Sequence, residues 1–274
     1  MSAADAFFDL HRRGRPLVLC NAWDAFSARL FEAEGFEAIA TSSAGVANAL
    51  GYADGEGVDL DLLFASLRNI VRVVRAPVSA DLEAGFGLEP ADTARTVERA
   101  IEAGAVGCNL EDYDPQRGGL LSIGAQCTRI RAVKAHCEAL GVRFFLNART
   151  DVMFKAVGDP QNRLEGTIER LRAYAAAGAD GAFAPGVSDP AQIERIVREL
   201  DVPFNVLARA GSPSISELGR LGVARVSLGS WPARIAMGAA RAAARELLEH
   251  GTYGFASGPV LSYEESNALF SAAS

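Results

Sequence analysis

The 274-residue chain is poor in the residues that build zinc sites and disulfide frameworks. Its four cysteines, Cys20, Cys108, Cys127 and Cys137, form no Cys-x-x-Cys pair, and its three histidines, His11, His136 and His250, lack ligand spacing. Reduced, packing cysteines are expected. No apolar run approaches the roughly 20 residues of a membrane span. The opening Met-Ser-Ala-Ala-Asp-Ala-Phe-Phe-Asp lacks the basic-then-apolar order of a signal peptide. A cytoplasmic protein with no membrane partner is therefore expected. Lysine- or arginine-rich runs are also missing, and the net charge is -7 with a pI near 5.1. That balance argues against nucleic acid or an anionic membrane as the main partner, while a small anion can still be held locally. No linker, low-complexity segment or constant-period repeat divides the chain, so a single domain over 1–274 is expected.

What is present is a strand-then-helix pattern repeated along the chain. Hydrophobic residues make up 49% and charged residues 22%, enough for a sizeable core in a globular protein. After a helix-like start over 3–13 comes Pro16-Leu-Val-Leu-Cys-Asn21-Ala-Trp23, then an amphipathic stretch over 24–34 stopped by Gly35. Seven further apolar strands are read at about 38–44, 77–83, 105–112, 143–150, 181–186, 203–208 and 225–231. Helical patterns such as 90–103 and 163–177 follow them and end in Gly104 and Gly178. Eight such units predict an α/β fold of the closed (β/α)8 TIM type, with an open doubly wound sheet as the alternative. A long helix over 232–250 and an apolar tail with a short helix over 263–270 need a further surface to bury against.

In such a barrel the chemistry sits at the carboxyl ends of the strands, and polar residues collect there. Asp81 and Glu83 end one strand two residues apart, so both carboxylates are read on one face, with Gly85 and Gly87 leaving room beside them. Two acids repel unless a cation lies between them, and a hard divalent ion with oxygen ligands, magnesium first, suits them. The plainer alternative is a solvated turn. Asn109 with Glu111, and Asn147 with Arg149, likewise share a face of their strands. Asp54, Asp81, Glu83 and Glu111 then meet Arg149 at one mouth, a costly grouping without a cation and an anionic ligand. Asp24 is read as a helix cap, and Asp112 as facing outward.

The runs Ser-Ala-Asp81-Leu-Glu83-Ala-Gly85-Phe-Gly87, Asn-Leu-Glu111-Asp and Asn-Ala-Arg149-Thr-Asp occur in this order, with Thr-Ser-Ser-Ala-Gly and Leu-Gly-Tyr-Ala-Asp54 before them. On these motifs the chain, from about residue 16 to 241, resembles the isocitrate lyase/phosphoenolpyruvate mutase superfamily. The resemblance implies a magnesium-dependent barrel acting on small 2-oxo acids, or acids that yield them, through an enolate-like intermediate. It makes Asp81 the direct metal ligand, with Asp54, Glu83 and Glu111 holding waters on the ion, and it allows Mn²⁺ as a substitute. Ser43, Ala44 and Gly45 would hold the substrate carboxylate, and Arg149 would meet the oxygen on which charge develops. Trp23 and Asn205 are candidates for the pocket wall. It also implies a homo-oligomer, a dimer of dimers, in which the eighth helix is exchanged and the tail from about 232 to 274 lies in the interface.

Glu83 departs from the commoner Asp of the superfamily. The segment from Tyr113 to Ser122 is polar, glycine-hinged and placed as a lid. It lacks the Lys-Lys-Cys-Gly-His run of the isocitrate and methylisocitrate lyases and the Lys-x-Asn-Ser pattern of the phosphonate mutases, so both substrates are disfavoured. Arg117, the lid's cation, is expected to meet the second carboxylate of a diacid. The leading expectation is therefore carbon–carbon cleavage or decarboxylation of an oxaloacetate-like diacid. The alternatives are a phosphonopyruvate-type carbon–phosphorus mutase or hydrolase, and a non-catalytic 2-oxo-acid binder.

Overall fold

The computed structural model describes residues 1–11, 15–87 and 89–271. Its first barrel strand is split at Cys20 into β1 (Leu17–Leu19) and β2 (Asn21–Ala22). Then come β3 (Ile39–Thr41), β4 (Val78–Asp81), β5 (Gly107–Glu111), a small hairpin of β6 (Tyr113–Asp114) and β7 (Gly119–Leu120), and β8 (Phe145–Arg149). β9 (Gly181–Phe183), β10 (Phe204–Leu207) and β11 (Arg225–Ser227) complete the set. The main sheet runs β1-β11-β10-β9-β8-β5-β4-β3-β2, with every pair parallel. Because β1 lies on β11 and β2 on β3, the break at Cys20 lets one segment reach both neighbours and bring the ring almost to closure. The anticipated (β/α)8 barrel is what forms, and not the open sheet.

The helices are α1 (Ala3–Leu10), α2 (Ala25–Ala33), α3 (Ser43–Ala49), α4 (Leu60–Val73), α5 (Pro90–Glu102), α6 (Ile123–Ala139), α7 (Arg163–Ala176), α8 (Pro190–Glu199), α9 (Ile215–Arg220), α10 (Trp231–His250) and α11 (Tyr263–Ser271). The expected start helix ends at Leu10, and residues 12 and 13 of that reading lie outside the described residues. Asp24 caps α2 as anticipated, its carboxylate accepting from the Ser27 amide at 2.7 Å. Among the described residues, no helix is long and apolar enough to cross a membrane.

Strand alternation divides the core. Cys108, Leu110, Leu146, Ala148, Val206 and Val226 point outward and pack with Ile130, Val133, Ile168 and Leu171 of the helices. Phe145 points inward with Leu17, Leu19, Ala38 and Ala40, and α1 closes that end of the barrel with the fully buried Phe7. Burying Phe7 contributes roughly 1.5–3 kcal/mol. All four cysteines are free and buried, as read from the sequence.

Asp112 corrects one reading. It does point away from the barrel axis, yet it is fully buried instead of solvated. It accepts from the Thr150 hydroxyl at 2.7 Å, the Asp151 amide at 3.0 Å and the Tyr174 hydroxyl at 2.7 Å, and pairs with Arg170 at 3.0 Å. A carboxylate with that many donors ties the ends of β5 and β8 to α7. Asp112→Ala is expected to destabilise the fold by about 3–5 kcal/mol, because Arg170 would be left without its buried partner. Urea unfolding checks this as a lower midpoint with an unchanged slope.

α10 meets the barrel beside β2 near its start, where Ala233 is its one buried residue, and exposes Trp231, Ile235, Met237 and Leu248. The tail then folds back, and α11 meets α2 of the same chain through Arg29 Nε donating to the Leu269 carbonyl at 2.6 Å and through Phe26 against Phe270.

Candidate active site

The sheet register places the chemistry. Asp81 lies beside Asn109, Asn109 beside Asn147, and Glu111 beside Arg149, so the inward positions of three adjacent strands deliver their side chains to one end of the barrel. Two adjoining cavities open there. The inner one, about 120 Å³, is lined by Asn21, Ser42, Ser43, Ala44, Asp54, Asp81, Asn109, Arg149, Phe154 and Phe183 among others. The outer one, about 310 Å³, is lined by Ser43, Asp54, Glu56, Glu83, Glu111, Tyr113, Pro115, Arg149, Phe154 and Lys155 among others. Ser43, Asp54, Arg149 and Phe154 belong to both.

Asp81 is held from two sides. The Ser43 amide donates to one carboxylate oxygen at 3.1 Å and Asn109 Nδ2 to the other at 3.3 Å. Its own amide donates to the Thr41 hydroxyl at 2.9 Å. Beneath it lies Arg225, fully buried, whose Nη2 donates to Asn109 Oδ1 at 3.2 Å while Nε and Nη1 have no protein partner. Asp54 arrives at the rim from the loop after α3, and surrounding bulk together with the Asp81 charge raises its pKa.

Glu83 reaches the outer cavity by a different route from the one anticipated. β4 ends at Asp81, and Glu83 sits in the following turn with φ of +50°, in the left-handed region. The turn, not the strand pleat, aims it inward, where it accepts from the Glu56 amide at 2.8 Å. Gly85, at φ +95°, lies where a Cβ would come within 2.9 Å of Arg129, which is why the turn ends in glycine.

Burial, and then the charges of Asp54 and Asp81, push the Glu83 carboxyl from its ordinary 4.5 up to about 8. With no cation bound, the folded state therefore keeps a proton that the unfolded chain releases near pH 4.5. Stability from this group is complete at low pH and falls as pH rises toward 8. In chelator, the melting temperature is expected to drop across pH 5 to 8, and Glu83→Gln to flatten that drop. A flat wild-type profile would count against the crowding.

Arg149 is gripped on both sides. It meets Glu111 at 2.8 Å and takes Asp151 in a two-pronged pair at 2.6 and 2.9 Å. Burial alone would lower its pKa, but Glu111 and Asp151 hold it more firmly protonated, while burial pushes Glu111 well up. The guanidinium is thus fixed and charged in a pocket otherwise dominated by acids.

Several expected residues stand elsewhere. Ser43 and Ala44 line the inner cavity, but Gly45 lines neither: its amide donates to the Ser42 hydroxyl, and a Cβ there would come within 2.9 Å of Trp23. Trp23 packs beside Phe31 and the Val46 cluster and also lines neither cavity. Asn205 points inward but lines neither cavity: its amide donates at 3.1 Å to the hydroxyl of Ser227, which does line the inner one, so Asn205 lies deeper. Arg117 is carried away by the β6–β7 hairpin: its side chain is 78% exposed, 3.7 Å from Asp114. Conversely, Glu56, Phe154 and Lys155 carry no sequence signal because they lie on loops with no periodicity, while Tyr113, the start of the lid segment, lines the outer cavity from β6. Asp151 carried a signal, its i+2 spacing from Arg149.

Among the described residues, no three His, Cys, Asp or Glu side chains converge closely enough to grip a metal directly. That donor set suits an ion held by one carboxylate and reached by the others through water, the habit of magnesium. Burial and then the Asp81 charge raise Asp54, and burial and then the charges of Asp54 and Asp81 raise Glu83, so acids crowd one mouth and the residues fit such an ion.

Comparison with known proteins shows the family and the fold. The family described as Phosphoenolpyruvate phosphomutase matches residues 7–248. An uncharacterized protein of Mycobacterium tuberculosis is 37% identical over 241 residues, covering 88% of each chain. The crystal structure of a Burkholderia cenocepacia protein, provisionally described as a lyase/mutase, superposes with TM-score 0.91 at 39% identity, covering 98% of this chain and 96% of that one. Oxaloacetate acetylhydrolase in complex with its product oxalate superposes at 0.86 with 26% identity, covering 99% and 94%. The chain belongs to the phosphoenolpyruvate phosphomutase family, within the isocitrate lyase/phosphoenolpyruvate mutase superfamily whose motifs it carries.

Proposed function

We propose that this protein is a magnesium-dependent lyase that cleaves a carbon–carbon bond of an oxaloacetate-like 2-oxo diacid. The observation that carries the reading is the meeting of Asp81, Asp54 and the fixed Arg149 around one inner cavity. Asp81 would hold the ion directly, with Asp54, Glu83 and Glu111 acting through water, and Mn²⁺ could replace Mg²⁺. When bound there, such an ion would supply an electron sink for carbon–carbon cleavage in a 2-oxo acid. Arg149, held immobile by Glu111 and Asp151, faces the oxygen that gains charge without having to reorganise. The Ala44 amide, in the first turn of α3, would take the substrate carboxylate, since Ser43 and Gly45 spend theirs on Asp81 and Ser42. The solved oxaloacetate acetylhydrolase, with oxalate bound, supports a 2-oxo diacid as substrate.

Carbon–phosphorus chemistry on a phosphonopyruvate is the second reading, favoured by the description of the matched family. A panel of 2-oxo acids with Mg²⁺, scored by thermal shift and then turnover, decides. Oxaloacetate is expected to stabilise and to be consumed; consumption of phosphonopyruvate alone supports the second reading, and binding without turnover a mere binder.

We further propose a cytoplasmic homo-oligomer, a dimer of dimers, in which a second copy covers the apolar face of α10. The exposed Ile235, Met237 and Leu248 support this. Light scattering at micromolar concentration should give a mass above the 28.9 kDa chain, and a monomer would refute it.

A further inference from the structure

Lysine is rare in this chain. Against 25 arginines there are only Lys134 and Lys155. Lys134 is committed to Asp180 at 2.7 Å. Lys155 has no carboxylate within ion-pair distance among the described residues. Its ammonium lies 4.2 Å from the centre of the Tyr113 ring and 5.7 Å from that of Phe154, on the wall of the outer cavity. Ring faces steady a cation without neutralising it.

Its backbone is fixed by the same clamp that fixes Arg149. The Lys155 amide donates to the Asp151 carbonyl at 2.9 Å, and the Asp151 carboxylate is the two-pronged partner of Arg149. The guanidinium carbon of Arg149 is itself 5.5 Å from the Phe154 ring. The cavity wall thus carries two cations, both bearing on one aromatic side chain. Arg149 meets two carboxylates, Glu111 and Asp151, and its remaining donor capacity faces the reacting end of the substrate, not the distal carboxylate. Arg117 points to solvent.

We infer that Lys155 is the specificity-determining residue that binds the distal carboxylate of a diacid substrate. This rests on the 2-oxo-acid reading of the site and adds to it the group that separates diacids from monoacids. The reacting end lies against Asp81 and Arg149 in the inner cavity. The far carboxylate extends past Phe154 into the outer cavity, where Lys155 offers three donors and a charge that no carboxylate contacts directly, although Asp54 feels it at longer range.

The test uses calorimetric titration of the full chain with Mg²⁺ present, comparing pyruvate with 2-oxoglutarate, a diacid that has no carboxylate beta to its keto group. Wild type is expected to bind 2-oxoglutarate the more tightly. Lys155→Met should weaken 2-oxoglutarate by about 10–100-fold while leaving pyruvate within about 2-fold, the loss of one charge-assisted hydrogen bond. Lys155→Arg should recover most of the loss, and Arg117→Met should change neither acid. Since Lys155 is exposed, these variants do not threaten the fold. Equal weakening of both acids by Lys155→Met, or none of 2-oxoglutarate, overturns the assignment. So does a wild type that binds pyruvate as tightly as the diacid, although the 2-oxo-acid reading survives that result. A wild type that binds neither acid overturns both.

Discussion

Asp81→Ala is expected to lose metal-dependent ligand binding altogether, with affinity for Mg²⁺ or Mn²⁺ down by at least about 100-fold. No other side chain can take its place. Asp54 reaches the rim from a loop, Glu83 from a left-handed turn, and Glu111 is bound to Arg149. Asp81 alone sits at the end of a barrel strand with both oxygens oriented, by the Ser43 amide and Asn109. Stability should change far less than metal affinity, because those two donors lie beside a cavity that water can enter. Calorimetric titration of metal in the presence of oxalate reads the effect. Retention of full metal-dependent binding by the variant would remove Asp81 from the role.

Arg149 should show two separable losses. Arg149→Lys keeps a positive charge but not the planar fork, so Asp151 loses its two-pronged partner and the donor facing the substrate oxygen is displaced. Turnover is expected to fall by about 10²–10³, with a smaller change in KM, as for loss of one well-placed donor to a developing oxyanion. Arg149→Met should also cost about 3–5 kcal/mol of stability, since it leaves Glu111 and Asp151 unpaired. Urea unfolding of both variants, run beside steady-state kinetics, separates the catalytic from the structural part. A kcat for Arg149→Lys within about threefold of wild type would contradict the role given to it.

The legible part of this protein is the part with periodicity. The alternation of Asn109 and Glu111 with apolar Cys108 and Leu110, and of Asn147 and Arg149 with Leu146 and Ala148, gives the inward face of two strands directly. Their register then sets Glu111 against Arg149. Alternation gives a face but not a height along the barrel, and Asn205 shows the difference: right face, wrong depth. Strand alternation does not account for Glu83 in the pocket, because its strand stops at Asp81 and a turn with positive φ aims it. Lys155 and Glu56 were invisible, since only tertiary folding brings their loops over the cavity. Arg117 turns to solvent for the same cause: the direction of a hairpin is set by tertiary folding and not by its residues.

The central claim is that this site breaks a carbon–carbon bond in an oxaloacetate-like diacid with help from a divalent ion. The most direct measurement follows oxaloacetate and its products in the presence of Mg²⁺, with Asp81→Ala at the same metal concentration as the control for spontaneous loss. The account predicts loss of oxaloacetate well above that control, silenced by chelator and restored by Mg²⁺ or Mn²⁺. Oxaloacetate disappearing no faster with wild type than with Asp81→Ala, or equally fast in excess chelator, would contradict it.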